Sequence, residues 1–195
     1  MAGIIPTISS GVAGPLGVIH LPRLWSKVIL SATGQLADDY DECGMGFDQM
    51  VLDGLGIDRE AALQYLKDNV PTYPKFENWV IEQNGGSIDQ ATVDSLNADI
   101  RGYNHADETR ESILGAAGIE DDGSIPDAVN LNNLDDWTEF HASLTSEPPY
   151  NESGFSTLYP DTRLTYCYSG VYLTKLRDYS GSFNSPGLLC IIDGS

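Results

Sequence analysis

Apolar residues recur every three or four positions from Leu21 to Leu144, the spacing that places them along one face of a helix. A first helix is predicted from Leu21-Pro22-Arg23, with Leu21, Leu24, Trp25 and Val28 on its apolar face and an end near Gly34. Pro22 suits a first turn, where its missing N–H has no partner to lose. An acidic loop from Asp38 to Gly46 follows, and then a short helix from Phe47 to Leu55 that Gly56 stops.

Asp58 is placed to cap a helix over Arg59 to Asn69, because a short carboxylate can accept the free amides of the first turn. Pro71 and Pro74 interrupt the chain before a helix at Lys75 to Gln83, which would bury Phe76, Trp79 and Val80 and close at Gly85-Gly86. Further helices are expected from Asp89 to about Tyr103, from Glu108 to Ala117 and from Leu134 to Leu144. After Pro148-Pro149 the pattern changes to β-branched and aromatic runs. Segments 163–168 and 171–176 flank Ser169-Gly170, a hairpin signal, and 188–192 suits a third strand.

The expected fold is therefore mainly α, a multi-helix domain over 18–146, with an irregular Pro- and Gly-rich arm at 1–17. A strand-rich extension at 147–195, read as a small antiparallel β segment, makes the whole chain α+β. Three strands are marginal alone and need cover from the helices or from another chain.

With 195 residues, 41% of them hydrophobic, the chain can bury about 70% of its unfolded surface and needs no disulfide or metal to hold a core. Twenty-nine acidic side chains against ten basic ones give a net charge of -19. Such a surface repels phosphate backbones and anionic lipid heads, so nucleic acid and membrane are excluded as partners. Plentiful Asp and scarce Lys suit a solvated surface in a saline or marine medium. No apolar stretch reaches 18 residues and no basic leader precedes one, so a soluble cytoplasmic protein, or part of a soluble assembly, is expected.

Cys43, Cys167 and Cys190 form no close pair, against both a disulfide scaffold and a zinc ribbon. A Cys167–Cys190 bridge and two small buried thiols both remain open. The acidic loop lacks the calcium pattern: counted from Asp39, Cys43 falls at the fifth position and Met50 at the twelfth, where a bidentate Glu is required. His20, His105 and His141 are widely spaced, and His141, four residues after Trp137, reads as a packing or surface residue. No metal site and no cofactor motif is found.

The scarcity of cations draws attention to Arg23 and Lys27, four apart on the first helix. Together they can grip a carboxylate or another anion. Equally, they can neutralise Asp38, Asp39 or Asp41 in the next loop. Tyr40, Cys43 and Asp48 lie close by in sequence and add acid, base or nucleophile types. Cys43 also reads simply as a buried, inert thiol.

The run Gly17-Val18-Ile19-His20-Leu21-Pro22-Arg23-Leu24-Trp25-Ser26-Lys27 is followed by Gly34, Tyr40, Cys43, Asp48, Leu52, Leu55-Gly56-Ile57-Asp58 and Trp79-Val80. Weaker echoes lie at Val93-Asp94-Ser95-Leu96-Asn97 and Leu134-Asp135-Asp136-Trp137. In these residues the chain resembles a bacterial family known only as domain of unknown function 5069, over about residues 11–145. The resemblance implies a helical domain and supplies no activity. Ser26 stands where that family usually has Asp, and Ile29 where it usually has Arg, which puts any site built on those charges in doubt.

Two functions follow as expectations. The first is an acidic helical protein that self-associates through its arm and C-terminal strands, a homo-oligomer or an assembly component. The second is a protein or enzyme that binds a small anionic metabolite around Arg23, Lys27, Tyr40, Cys43 and Asp48.

Overall fold

Helix α1, Leu21–Ala32, turns Leu21, Leu24 and Val28 into the centre of the molecule, where none is more than 1% exposed. Each such side chain contributes about 1.5–3 kcal/mol when fully buried, so this one face is a large part of what holds the fold. The computed structural model describes residues 3–146 and three short segments, 164–166, 172–174 and 189–190. Among the described residues the protein is mainly helical.

After α1 come α2 (Phe47–Gly54), α3 (Arg59–Asn69), α4 (Tyr73–Gln83), α5 (Gln90–Gly102), α6 (Asp107–Ala116) and α7 (Ala128–Ser146). The Asp58 carboxylate accepts from the Ala61 amide at 2.8 Å and fixes the start of α3 where the sequence puts it. Two helices begin earlier than their apolar patterns suggest. In α4, Pro74 is held within the first turn; in α7, Asp127 accepts from the Asn130 amide at 2.9 Å and starts the helix six residues before Leu134.

Helix α1 packs against α2, α3 and α4, and α2 against α5. The main core joins Val18, Ile19, Val51, Leu52, Leu66, Phe76, Val80 and Ile100 to the α1 face. Aromatic pairs lock α3 to α4, where Tyr65 stacks on Trp79 at 4.7 Å, and α1 to α4, where Trp25 meets Tyr73 edge-on at 5.6 Å. Trp79 is thus half-buried by stacking rather than sunk in the core. A smaller cluster of Ile113, Leu114 and Leu131 joins α6 to α7. Nothing among the described residues is long and apolar enough as a helix to cross a membrane.

The N-terminal arm is irregular but engaged by its own chain. The Leu16 amide donates to Glu77 Oε1 at 3.0 Å, Asn97 bridges the Ile19 amide and the Gly17 carbonyl, and Arg23 holds the carbonyls of Pro6 and Ile8. Ile4 also forms a parallel bridge with Leu36. At Gly14 an added Cβ would lie 2.2 Å from Tyr73 Cε1 and 2.6 Å from Glu77 Oε1. Gly14→Ala is therefore expected to push the arm off α4 and lower stability by about 1–3 kcal/mol in urea denaturation. An unchanged midpoint would mean that the arm does not pack there.

Contacts divide the chain into Met1–Thr145 and Ser146–Ser195. In the second unit β1 (Leu164–Tyr166) pairs antiparallel with β2 (Tyr172–Thr174), Thr165 opposite Leu173, and β2 with β3 (Leu189–Cys190). The expected turn at Ser169-Gly170 and Cys167, with its bridge to Cys190, lie outside the described residues.

Candidate functional site

His20 caps the N-terminus of α1 in a left-handed conformation, φ 66°, without a side-chain hydrogen bond to the helix. This backbone state costs a non-glycine residue roughly 1–2 kcal/mol, though His tolerates it better than most. It delivers the ring to a buried site, 3% exposed, edge-on to Phe47. There the His20 Nε2 lies 2.8 Å from Asp48 Oδ1.

Asp48, in the first turn of α2, collects three partners. Its Oδ1 meets His20, and its Oδ2 accepts from Lys27 Nζ and, at 2.7 Å, from the Gly44 amide. Burial alone would raise the Asp48 pKa, but the hydrogen bond from His20 and then the ammonium of Lys27 outweigh it and hold the carboxyl down at about 2. The opposite balance governs His20. Burial, helped by Lys27 and Arg23, lowers its pKa below the ordinary 6.5 against the pull of Asp48. At neutral pH the ring is neutral, Nε2–H donates to Asp48, and Nδ1 is left as a buried acceptor with no partner.

A second buried cluster lies one turn along α1. Arg23 forms a bidentate pair with Asp136 of α7, Nη1 to Oδ2 at 2.6 Å and Nη2 to Oδ1 at 2.8 Å. The Tyr40 hydroxyl donates to the same Oδ1 at 3.0 Å. Burial and then Asp136 raise the Tyr40 pKa far above its usual value, so the phenol stays protonated and remains a donor.

Both clusters open on one cleft of about 580 Å³. Its wall is built by His20 at the cap of α1, Arg23 and Lys27 within that helix, Tyr40, Gly44 to Met50, Tyr103 and His105 between α5 and α6, and Asn132, Asp135 and Asp136 of α7. His105 is fixed by a 2.8 Å contact between its Nε2 and Asn132 Oδ1. Asp135 differs from its neighbours: half-buried, its pKa is raised by desolvation and then by Asp136, and among the described residues no side-chain hydrogen bond holds it.

Of the five candidate residues, Arg23, Lys27, Tyr40 and Asp48 are brought together on this cleft, while Cys43 is not part of its wall. Cys43 is buried, and burial followed by the charge of Asp48 pushes its thiol up to about 11. That is the setting of an unreactive thiol. The two cations are paired within the chain, as one reading of the sequence had it, but with Asp48 and Asp136 rather than Asp38, Asp39 or Asp41. Neither presents free charge to an anion.

Asp135 and Asp136 are wall residues that no spacing in the sequence singles out, whereas His20 and His105, which the sequence offers as possible bases for a Cys43 nucleophile, line the cleft without Cys43. A lone His carries no ligand spacing, and Asp136 is 113 positions from Arg23. Among the described residues no group of three His, Cys, Asp or Glu is arranged to hold a metal ion. The chain matches no protein-family model, and no curated protein is significantly similar to it.

Proposed function

We propose that the helical domain binds a small polar molecule in the cleft at the head of α1, with His20 among its buried polar contacts. The observation that carries this reading is the His20 ring: 97% buried, strained at its backbone, fixed by Asp48 through Nε2, and still without a partner at Nδ1. A buried acceptor left unpaired carries a penalty of about 1–3 kcal/mol, which a ligand donor at Nδ1 would remove. The same lone pair equips the site for proton abstraction, because Asp48 stabilises the imidazolium that would form.

Met45 and Met50 both border the cleft and report on it. A fragment screen followed by methyl NMR should find polar molecules that shift both signals, and His20→Phe should abolish those shifts while the protein stays folded. A library of several hundred polar fragments that moves neither methyl would count decisively against the reading.

The relation to the domain of unknown function 5069 family is proposed on the same footing. Its support is that His20, Arg23, Lys27, Tyr40, Asp48 and Asp136, all within the stretches of resemblance, are the residues that assemble the two clusters. The two departures lie beside them without charge: Ser26 donates to the Arg23 carbonyl, and Ile29 packs on the core.

Self-association is a second reading, and one observation favours it. Trp137, Phe140 and Leu144 sit at 60%, 45% and 49% exposure, at positions that share one face of α7. In this reading a soluble cytoplasmic protein, α+β overall, assembles through that face and through a strand-rich extension at 147–195. The arm takes a smaller part, since its own domain occupies it. Sedimentation of the whole chain should then give a mass above 21.1 kDa, reduced to monomer by Trp137→Glu with Phe140→Glu. A monomeric wild type would remove the assembly reading.

A further inference from the structure

The charges around the cleft do not balance. Arg23 and Lys27 are its two permanent cations, and Asp136 and Asp48 neutralise them one for one. Asp53 and Asp135 also border the cleft, and among the described residues neither forms an ion pair, although Arg23 draws on Asp135 from a distance. Asp53 is exposed and accepts a hydrogen bond from Gln49, whereas Asp135 is half-buried beside the like charge of Asp136. The field of a chain with net charge -19 points the same way.

A ligand suited to this wall must supply positive charge to Asp135, and a donor on it would also satisfy the free Nδ1 of His20, a residue of the same wall. Ammonium and guanidinium groups do both and carry no acceptor that would meet a carboxylate. Near the opening, Tyr103 is half-exposed and stands edge-on to Phe47, with ring centroids 5.6 Å apart. An aromatic face next to acidic side chains adds attraction for an organic cation. The described residues offer no three-ligand group for a bare metal ion, so the charge belongs on an organic molecule.

We infer that the cleft selects a small organic cation, an amine or guanidinium compound, with Asp135 as the residue that pairs with its charge. This inference rests on the cleft being a binding site, and it replaces the anionic metabolite expected from Arg23 and Lys27.

The test titrates the full chain, at low ionic strength and pH 7, with agmatine, 1,4-butanediol, glutarate and magnesium chloride. The Met45 and Met50 methyl signals are followed throughout. Agmatine should shift both signals saturably, and Asp135→Asn should weaken it at least tenfold while circular dichroism stays unchanged. Glutarate or butanediol binding as tightly as agmatine would overturn the choice of a cation but leave the cleft as a site. Magnesium moving the same signals as strongly as agmatine would likewise overturn the organic ligand. Agmatine binding equally well to Asp135→Asn would remove Asp135 from its role. Silence of both methyls with all four probes, and with the fragment library, would sink the inference and the binding reading together.

Discussion

Asp136→Ala is expected to destabilise the protein by about 3–5 kcal/mol, a large share of the roughly 5–15 kcal/mol that holds a typical domain folded. The effect comes from what is left behind. Arg23 is 6% exposed and would keep its full charge with no carboxylate, while the Tyr40 hydroxyl would lose its acceptor. The Arg23 contacts to the carbonyls of Pro6 and Ile8 would remain, but a carbonyl dipole does not neutralise a buried guanidinium. Because Arg23 is on α1 and Asp136 on α7, the pair ties together segments 113 positions apart, and its loss should also loosen α7. Urea denaturation followed by tryptophan fluorescence measures this. Joining Arg23→Met to Asp136→Leu should recover most of the loss, since the orphaned charge is then gone. A single Asp136→Ala variant within 1 kcal/mol of wild type would show that the pair is solvated in solution.

The helices were legible because their information is local. Asp58 and the oily stripe behind it mark α3 at both ends, and Leu21, Leu24 and Val28 announce the face of α1. The start of α7 also has a local signal, since Asp127 stands before Ala128-Val129-Asn130 as a ready cap six residues ahead of the apolar pattern. The site was legible only in half. Scarcity of cations singled out Arg23 and Lys27, and the nearest carboxylates in sequence seemed their natural partners. Burial decided otherwise. Asp38, Asp39 and Asp41 keep their loop solvated, whereas Asp48 and Asp136 enter on helices whose apolar faces need the core, and the buried cations pair with what those helices deliver. His20 is visible in the sequence only as a possible base for Cys43, and no spacing ties it to Asp48. Its importance comes from a backbone turn before Leu21-Pro22 and from α2 bringing Asp48 within 2.8 Å.

Asp48→Ala should cost about 3–5 kcal/mol at pH 7 for the same reason, here through Lys27, 7% exposed, and the amide of Gly44. Its distinguishing mark is the pH profile. The Asp48 carboxyl titrates near 2 in the fold against 3.8 in an unfolded chain, so the unfolded state takes up protons first as the solution is acidified. The contribution, about 2 kcal/mol, is full above pH 4 and disappears as pH falls through 2. His20 acts in the same direction but earlier. Its folded pKa is depressed below 6.5, so unfolding gains a proton, and stability begins to fall once pH drops below 6.5. On the alkaline side the Cys43 thiol, at about 11 in the fold against 9.0 unfolded, loses stability as pH rises through that interval; Tyr40 and Tyr73, both raised, extend the decline. Wild type should therefore be most stable between about pH 6.5 and 9, with an acid limb in two stages. In Asp48→Ala the stage between pH 4 and 2 should flatten. In His20→Phe the stage that starts at pH 6.5 should vanish while the lower one shrinks, since one of the bonds holding Asp48 is gone. Chemical denaturation at half-unit pH intervals resolves the stages, and a wild-type curve level from pH 7 to 4 would show that His20 charges freely in the fold, with Nδ1 open to water.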